Sequence, residues 1–200
     1  MPARFVGVDV GTGSVRAGVF DARGACEGTA VTPIATRRPR PDWAEQSSED
    51  IWQATGRAVR EAVARSGSSP ASVRGIAFDA TCSLVVLDRS ERPLSVNPDG
   101  APEWNVVVWM DHRAVKQAER LSATGARALK YVGGTLSPEM QVPKLAWLRE
   151  EMPATFDAIG LAQDLADHLV FRASGVDVRS QCTLGCKWGG GTCACTGQRR

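Results

Sequence analysis

The 200-residue chain is 43% hydrophobic and 23% charged, ordinary for a soluble globular sequence, and its length suits one domain with a sizeable core or part of a larger enzyme. Its 24 basic and 22 acidic side chains leave a net charge of +2, which is too balanced to suggest a nucleic-acid partner. No apolar run approaches the ~18 residues of a membrane span, and no charged-then-apolar leader opens the chain, so the expected compartment is the cytoplasm, where thiols stay reduced.

The first element is organised around residues 5–16, FVGVDVGTGSVR. The apolar run ending at Asp9 reads as a buried strand, Gly11, Thr12, Gly13 and Ser14 as a tight turn, and residues 15–20 as the returning strand. Gly11 and Gly13 suit the positive φ angles of such a hairpin. Its amides, pointing one way, would make a phosphate-binding nest, and Asp9 is placed to hold Mg²⁺ directly or through water. The same pattern also serves as a plain turn. It is neither a P-loop nor a dinucleotide fingerprint, because no helix opens there.

Residues 26–34 read as a third strand, and a proline-rich connection follows. Ser47 with Asp50 marks a helix start, Ile51, Thr55, Val59 and Val63 form its apolar stripe, and Gly67 closes it. Trp52 belongs with that core. Residues 73–78 and 84–87 are strands, separated by the polar turn Asp79, Ala80, Thr81, Cys82 and Ser83. Polar groups at the end of a buried strand need partners, so the turn is either self-satisfied or lines a ligand. Residues 106–110 are again strand-like; residues 114–121 and 126–132 read as helix interrupted by Gly125. Pro143 opens a further helix with Leu145 and Leu148 inward. A last helix runs over residues 164–173, with Asp164 as N-cap, Leu165 and Leu169 buried, His168 structural and Gly175 beyond it. Four of the six cysteines crowd into residues 182–195; C-x3-C then C-x-C is compatible with Zn²⁺, though not at a usual knuckle spacing.

Four segments together resemble the FGGY carbohydrate kinases of the actin/Hsp70/hexokinase superfamily: the hairpin, residues 74–88 (RGIAFDATCSLVVLD), residues 106–115 (VVVWMDHRAV) and residues 131–148 (YVGGTLSPEMQVPKLAWL). The likeness runs to Trp188 and is nearest to the ribulokinase-like pentulose kinases. It implies an α/β, ribonuclease-H-like first domain over residues 1–188, with a mixed sheet and flanking helices, followed by a disordered, non-family tail over residues 189–200. It implies an ATP- and Mg²⁺-dependent transfer of the γ-phosphate to a hydroxyl of a ketopentose such as D-ribulose, with homodimerisation of the full-length form left open. In this reading Asp9 manages the metal, and Gly11, Thr12, Gly13 and Ser14, with Arg16 nearby, hold phosphate. Thr81, Cys82, Trp109, Asp111 and Glu139 frame a sugar or polyol, with His112 in a structural or hydroxyl-binding role. Glycerol kinases carry an Arg-Glu pair where Thr81 and Cys82 stand, which argues against glycerol. The family has no metal at Cys182 and Cys186. Its general-base aspartate and its adenosine-binding domain lie beyond the region that ends at Trp188. The chain alone is therefore expected to be an inactive N-terminal fragment; the alternative is a non-catalytic sugar-binding or regulatory fragment.

Overall fold

The computed structural model describes residues 1–189. Three strands open it: β1 (Arg4–Val10), β2 (Ser14–Asp21) and β3 (Cys26–Pro33), joined by two hairpins. Alternating Val6, Val8 and Val10 on β1 and Val15, Ala17 and Val19 on β2 place one apolar face inward. The helix α1 (Ser48–Arg65) covers that face. Ser47 caps it by accepting from the Asp50 amide, while the Asp50 carboxylate accepts from the Ala35 amide, so the cap also fixes the incoming connection. Its inward stripe is small, with Ala54, Ala58 and Ala62 all fully buried, and this lets the helix lie close to the sheet. Gly28 marks the contact: a Cβ there would stand 2.6 Å from the Ala62 oxygen.

After α1 the chain returns as β5 (Val73–Ala80), parallel to β1, so the first sheet is mixed with strand order β3-β2-β1-β5. A second, antiparallel sheet follows: β4 (Glu45–Gln46), β7 (Val106–Val107), β6 (Leu84–Asp88) and β8 (Ile159–Asp164), in that spatial order. Strand alternation makes β6 the divider between two cores. Val85 and Leu87 face the core shared with α1 and with α5 (Leu165–Ser174), whereas Leu84 and Val86 face a second cluster of Trp43, Val96, Val107, Trp147 and Leu148. Trp43 and Trp147 meet edge to face at 5.1 Å. The remaining helices are α2 (Val115–Ser122), α3 (Gln141–Glu151), α4 (Pro153–Ala158) and α6 (Gln181–Lys187).

Several expectations are corrected. Residues 126–132 form only a 3₁₀ turn, Arg127–Val132, because Gly125 and Gly133 both take positive φ and leave too few residues for a stable α-helix. The mixed sheet with flanking helices is present, and a second sheet adds two strands with no reading in the sequence, β4 and β8; β4 is two residues long, too short to show a period. Asp164 occupies the N-cap position of α5, yet its carboxylate bonds the Gln141 side chain at 3.1 Å. Leu145 packs against the second core as expected though only half-buried, and Trp147 joins Leu148 as a fully inward residue. The C-terminal tail expected over residues 189–200 lies, beyond Gly189, outside the described residues.

Candidate functional site

The β1–β2 hairpin is held from outside. The Gly11 amide donates to the Ser14 oxygen, closing the turn. Below it, the Thr12 oxygen accepts from Gln46 Nε2 at 2.7 Å and from Thr36 Oγ1 at 3.2 Å, and the Gly13 oxygen accepts from the Ile34 amide. This stitching holds the turn without left-handed residues: neither Gly11 nor Gly13 has the positive φ expected of it. One of the four amides expected to face phosphate, that of Gly11, is spent inside the turn. Among the described residues a Cβ on Gly13 would meet nothing within 4 Å, so they leave the ground above the tip open.

Asp9 ends β1 beside Asp79 of β5, its in-register neighbour, and both are exposed at the same end of the sheet. Arg16, across the hairpin, donates to Asp9 Oδ2 at 2.8 Å. Two neighbouring carboxylates on a parallel pair of strands suit Mg²⁺, which takes one or two carboxylates and fills its shell with water and phosphate oxygens. The residues present therefore fit such an ion: Asp9 and Asp79 would hold it, with Arg16 as a competing cation. Asp79 was legible only as part of a polar turn; its pairing with Asp9 depends on the β1–β5 register.

A hydrogen-bonded line runs from the hairpin to the second sheet. Trp109 Nε1 donates to Thr12 Oγ1 at 3.1 Å, the Trp109 amide donates to Ser83 Oγ at 3.2 Å, and Ser83 Oγ shares a bond with Thr81 Oγ1 at 3.2 Å. Thr12, Thr81 and Trp109 thus come together, with Cys82 beside them. The Cys82 oxygen accepts from Gln141 Nε2, and burial pushes its thiol above its usual range. Gln141 Nε2 also reaches Asp164 Oδ2, and burial raises the Asp164 carboxyl to about 6. Under the Trp109 turn, fully buried Lys144 donates from Nζ to the Val108 oxygen at 3.0 Å; desolvation lowers it to about 7 despite the nearby Asp111 carboxylate.

Glu139 sits on the far side, lining a cavity of about 410 Å³ with Tyr131, Thr135, Ser137, Cys186 and Lys187. Its carboxylate is held by His112 Nε2 at 3.2 Å and Lys187 Nζ at 3.3 Å. Partial burial pushes this carboxyl up, but those two bonds outweigh it and hold it below the usual carboxylate range. Lys187 carries no sequence signal; only the folding of α6 against the cavity brings it to Glu139.

Asp111 is the correction in the sugar wall. It has no accessible surface, and both oxygens are committed: Oδ2 accepts from the Ala44 amide and Arg113 Nη2, Oδ1 from the Arg113 amide and Nε. Arg113 also bonds Glu45, which Asn97 holds, and its guanidinium lies 4.1 Å from the Trp43 ring centroid. Asp111 therefore braces the turn that carries Trp109 and does not face the cavity. Cys182 and Cys186 share one face of α6 with sulfurs 3.9 Å apart; among the described residues no three His, Cys, Asp or Glu side chains gather as metal ligands. No helix among these residues is long and apolar enough to cross a membrane.

Comparison with known proteins places this geometry. Residues 4–184 match the FGGY family of carbohydrate kinases, N-terminal domain. A human FGGY carbohydrate kinase domain-containing protein is 48% identical over 185 residues, covering 92% of this chain and 33% of its own length. D-ribulokinase YDR109C of Saccharomyces cerevisiae is 44% identical over 187 residues, covering 92% of this chain and 26% of its own. The crystal structure of xylulose kinase from Rhodospirillum rubrum superposes with a TM-score of 0.68 at 20% identity, over 84% of this chain and 33% of that one, which shows the fold. The chain thus spans about a third of the length of the curated relatives it matches.

Proposed function

The chain belongs to the FGGY family of carbohydrate kinases, and from that premise we propose that it forms the phosphate-facing hairpin and one sugar wall of an ATP-dependent kinase acting on a ketopentose such as D-ribulose. The observation that carries the reading is the line Thr12–Trp109–Ser83–Thr81, which joins the tip of the glycine hairpin to the strand ends of the second sheet. A sugar lying against Trp109 would have a hydroxyl close to phosphates seated on the hairpin, and proximity of that kind contributes much of the barrier lowering in phosphoryl transfer.

The roles follow from the chemistry. The indole face of Trp109 packs against sugar C–H groups. Thr81 and Glu139 hydrogen-bond hydroxyls, and His112 and Lys187 keep Glu139 ionised as an acceptor. Thr12, Gly13 and Ser14 offer their amides and hydroxyls to phosphate, with Arg16 as the nearby cation. Mg²⁺, when bound at Asp9 and Asp79, supplies charge neutralisation at the phosphates. Asp111 and Lys144 act from beneath by fixing residues 108–113.

The chain alone is proposed to bind sugar without transferring phosphate. Glu139 is a weak base because its carboxyl is held low, and Asp111 is sealed off from any ligand. Calorimetric titration with D-ribulose, D-xylulose and glycerol, beside a coupled ATP-hydrolysis assay, tests this. Saturable binding of a ketopentose, weak or no binding of glycerol and no turnover are expected. Preference for glycerol would overturn the sugar assignment, and ATP-dependent phosphorylation by the 200-residue chain would overturn the fragment reading.

A further inference from the structure

The sugar reading leaves the thiols of α6 unused. Cys182 and Cys186 are exposed, one helical turn apart, with sulfurs 3.9 Å from each other. The start of α6 is pinned: Ser180 Oγ accepts from the Cys182 amide, and Thr183 Oγ1 donates to buried Asp167 at 2.7 Å. At its end, Lys187 Nζ lies 3.3 Å from Glu139 Oε2 and Trp188 packs against the second core, so Cys186 and Lys187 lie between two anchors, Thr183 and Trp188. Cys186 and Lys187 both line the cavity that Glu139 faces.

We propose that Cys182 and Cys186 form a dithiol modification site for a peroxide-class oxidant, and that closing them into an intrahelical disulfide opens the end of α6 and draws Lys187 off Glu139. In the first step one thiol loses its proton and the thiolate attacks a peroxide oxygen. The O–O bond breaks, hydroxide leaves and is protonated to water, and a sulfenic acid remains. The second sulfur then attacks the sulfenic sulfur, the S–O bond breaks, and a second water carries off the remaining proton. Two thiols are oxidised by two electrons, and one peroxide is reduced to two waters.

Geometry directs the strain. Side chains four apart on a helix have Cβ atoms about 5–6 Å apart, whereas a disulfide needs them about 3.5–4.5 Å apart with sulfurs near 2.05 Å. The two sulfurs must therefore close by nearly 2 Å, and an intact α-helical turn cannot follow. With the start of α6 tied to Asp167, the turn that yields is the one carrying Cys186 and Lys187. A strained bond of this kind is also readily reduced, so the modification is reversible. Its formation is faster in alkali: the neighbouring Cys186 thiol, with Asp79 and Asp164 nearby, holds the Cys182 thiol above its usual range.

Residues 180–187, SQCTLGCK, form one tryptic peptide holding both thiols and no other cysteine. The reduced chain is treated with hydrogen peroxide, alkylated and digested. The expected peptide lacks two hydrogens, resists alkylation and returns to the dithiol form with dithiothreitol. Brief native proteolysis should cleave after Lys187 roughly tenfold faster in the oxidised chain, since cleavage follows local opening, and no faster in Cys182→Ser or Cys186→Ser. Loss of affinity for D-ribulose on oxidation is expected as well; that arm rests on the sugar reading. Recovery of the peptide as a dialkylated, sulfinic or cross-linked species overturns the site. A mapped disulfide with unchanged cleavage after Lys187 overturns the helix opening. Absence of ribulose binding in both forms strikes the sugar reading only, because the peptide mass and cleavage rates stand without it.

Discussion

Replacing His168 by Leu should remove one of the costs that acid imposes on the stability of this chain. His168 is almost wholly buried on α5; its Nδ1 pairs with Gln163 Oε1, and its Nε2 has no partner among the described residues. Burial, helped by the Arg172 charge and only partly opposed by Glu49, lowers it from 6.5 to about 4. The unfolded chain takes up this proton near pH 6.5 and the folded chain only near pH 4, so His168 removes stability as pH falls through that window, by about 3 kcal/mol. Asp164 works in the opposite sense. Desolvation raises it from 3.8 to about 6, so the folded chain binds this proton first, and stability is gained as pH falls from about 6, by about 2 kcal/mol at pH 4. In the unmodified chain the two effects largely offset one another. Urea midpoints between pH 7 and pH 4, taken as differences from the unmodified chain, separate them. H168L should gain relative stability toward pH 4, and Asp164→Asn should lose it. The lost Gln163 bond in H168L costs about 1 kcal/mol at every pH and leaves the slope alone. Parallel midpoint curves for all three proteins would refute the burial argument.

Gly28→Ala should destabilise by about 1–3 kcal/mol in thermal or urea unfolding, because its Cβ meets the backbone of α1 and nothing flexible can give way. Asp111→Asn should cost about 3–5 kcal/mol, leaving Arg113 and Glu45 with a broken buried network, and is expected to show as loss of soluble folded chain. Trp109→Phe removes the Thr12 hydrogen bond, worth about 1 kcal/mol, and should weaken ketopentose binding several-fold in calorimetry while lowering the unfolding midpoint by about 2–4 °C.

The first three strands, α1 and its Ser47 cap could be read from the sequence because each signal there is local: alternating valines, a stripe at spacing four and a capping serine. Of the second sheet, β6 and β7 were legible as apolar runs, whereas β4, two residues long, and β8, whose Gly160 and Gln163 break any apolar pattern, are strands only through their partners. Trp109, Thr12 and Thr81 were legible as site candidates from motif chemistry, and the structure brings them onto one line. Asp111 was misplaced by the same logic: sequence shows a carboxylate two residues from a tryptophan proposed to face sugar but not that Arg113, two residues on, folds back to consume it. Lys187 and Asp79 emerge only from tertiary contact, one through helix docking and the other through strand register.

The indole of Trp109 can give a hydrogen but cannot receive one. Thr12 Oγ1 therefore meets it with a lone pair, and among the described residues nothing takes the hydroxyl's own hydrogen at the tip of the hairpin. A neutral side chain thereby acquires direction: polarised from behind by the ring, it is ready to greet a negatively charged oxygen and ill suited to an ammonium.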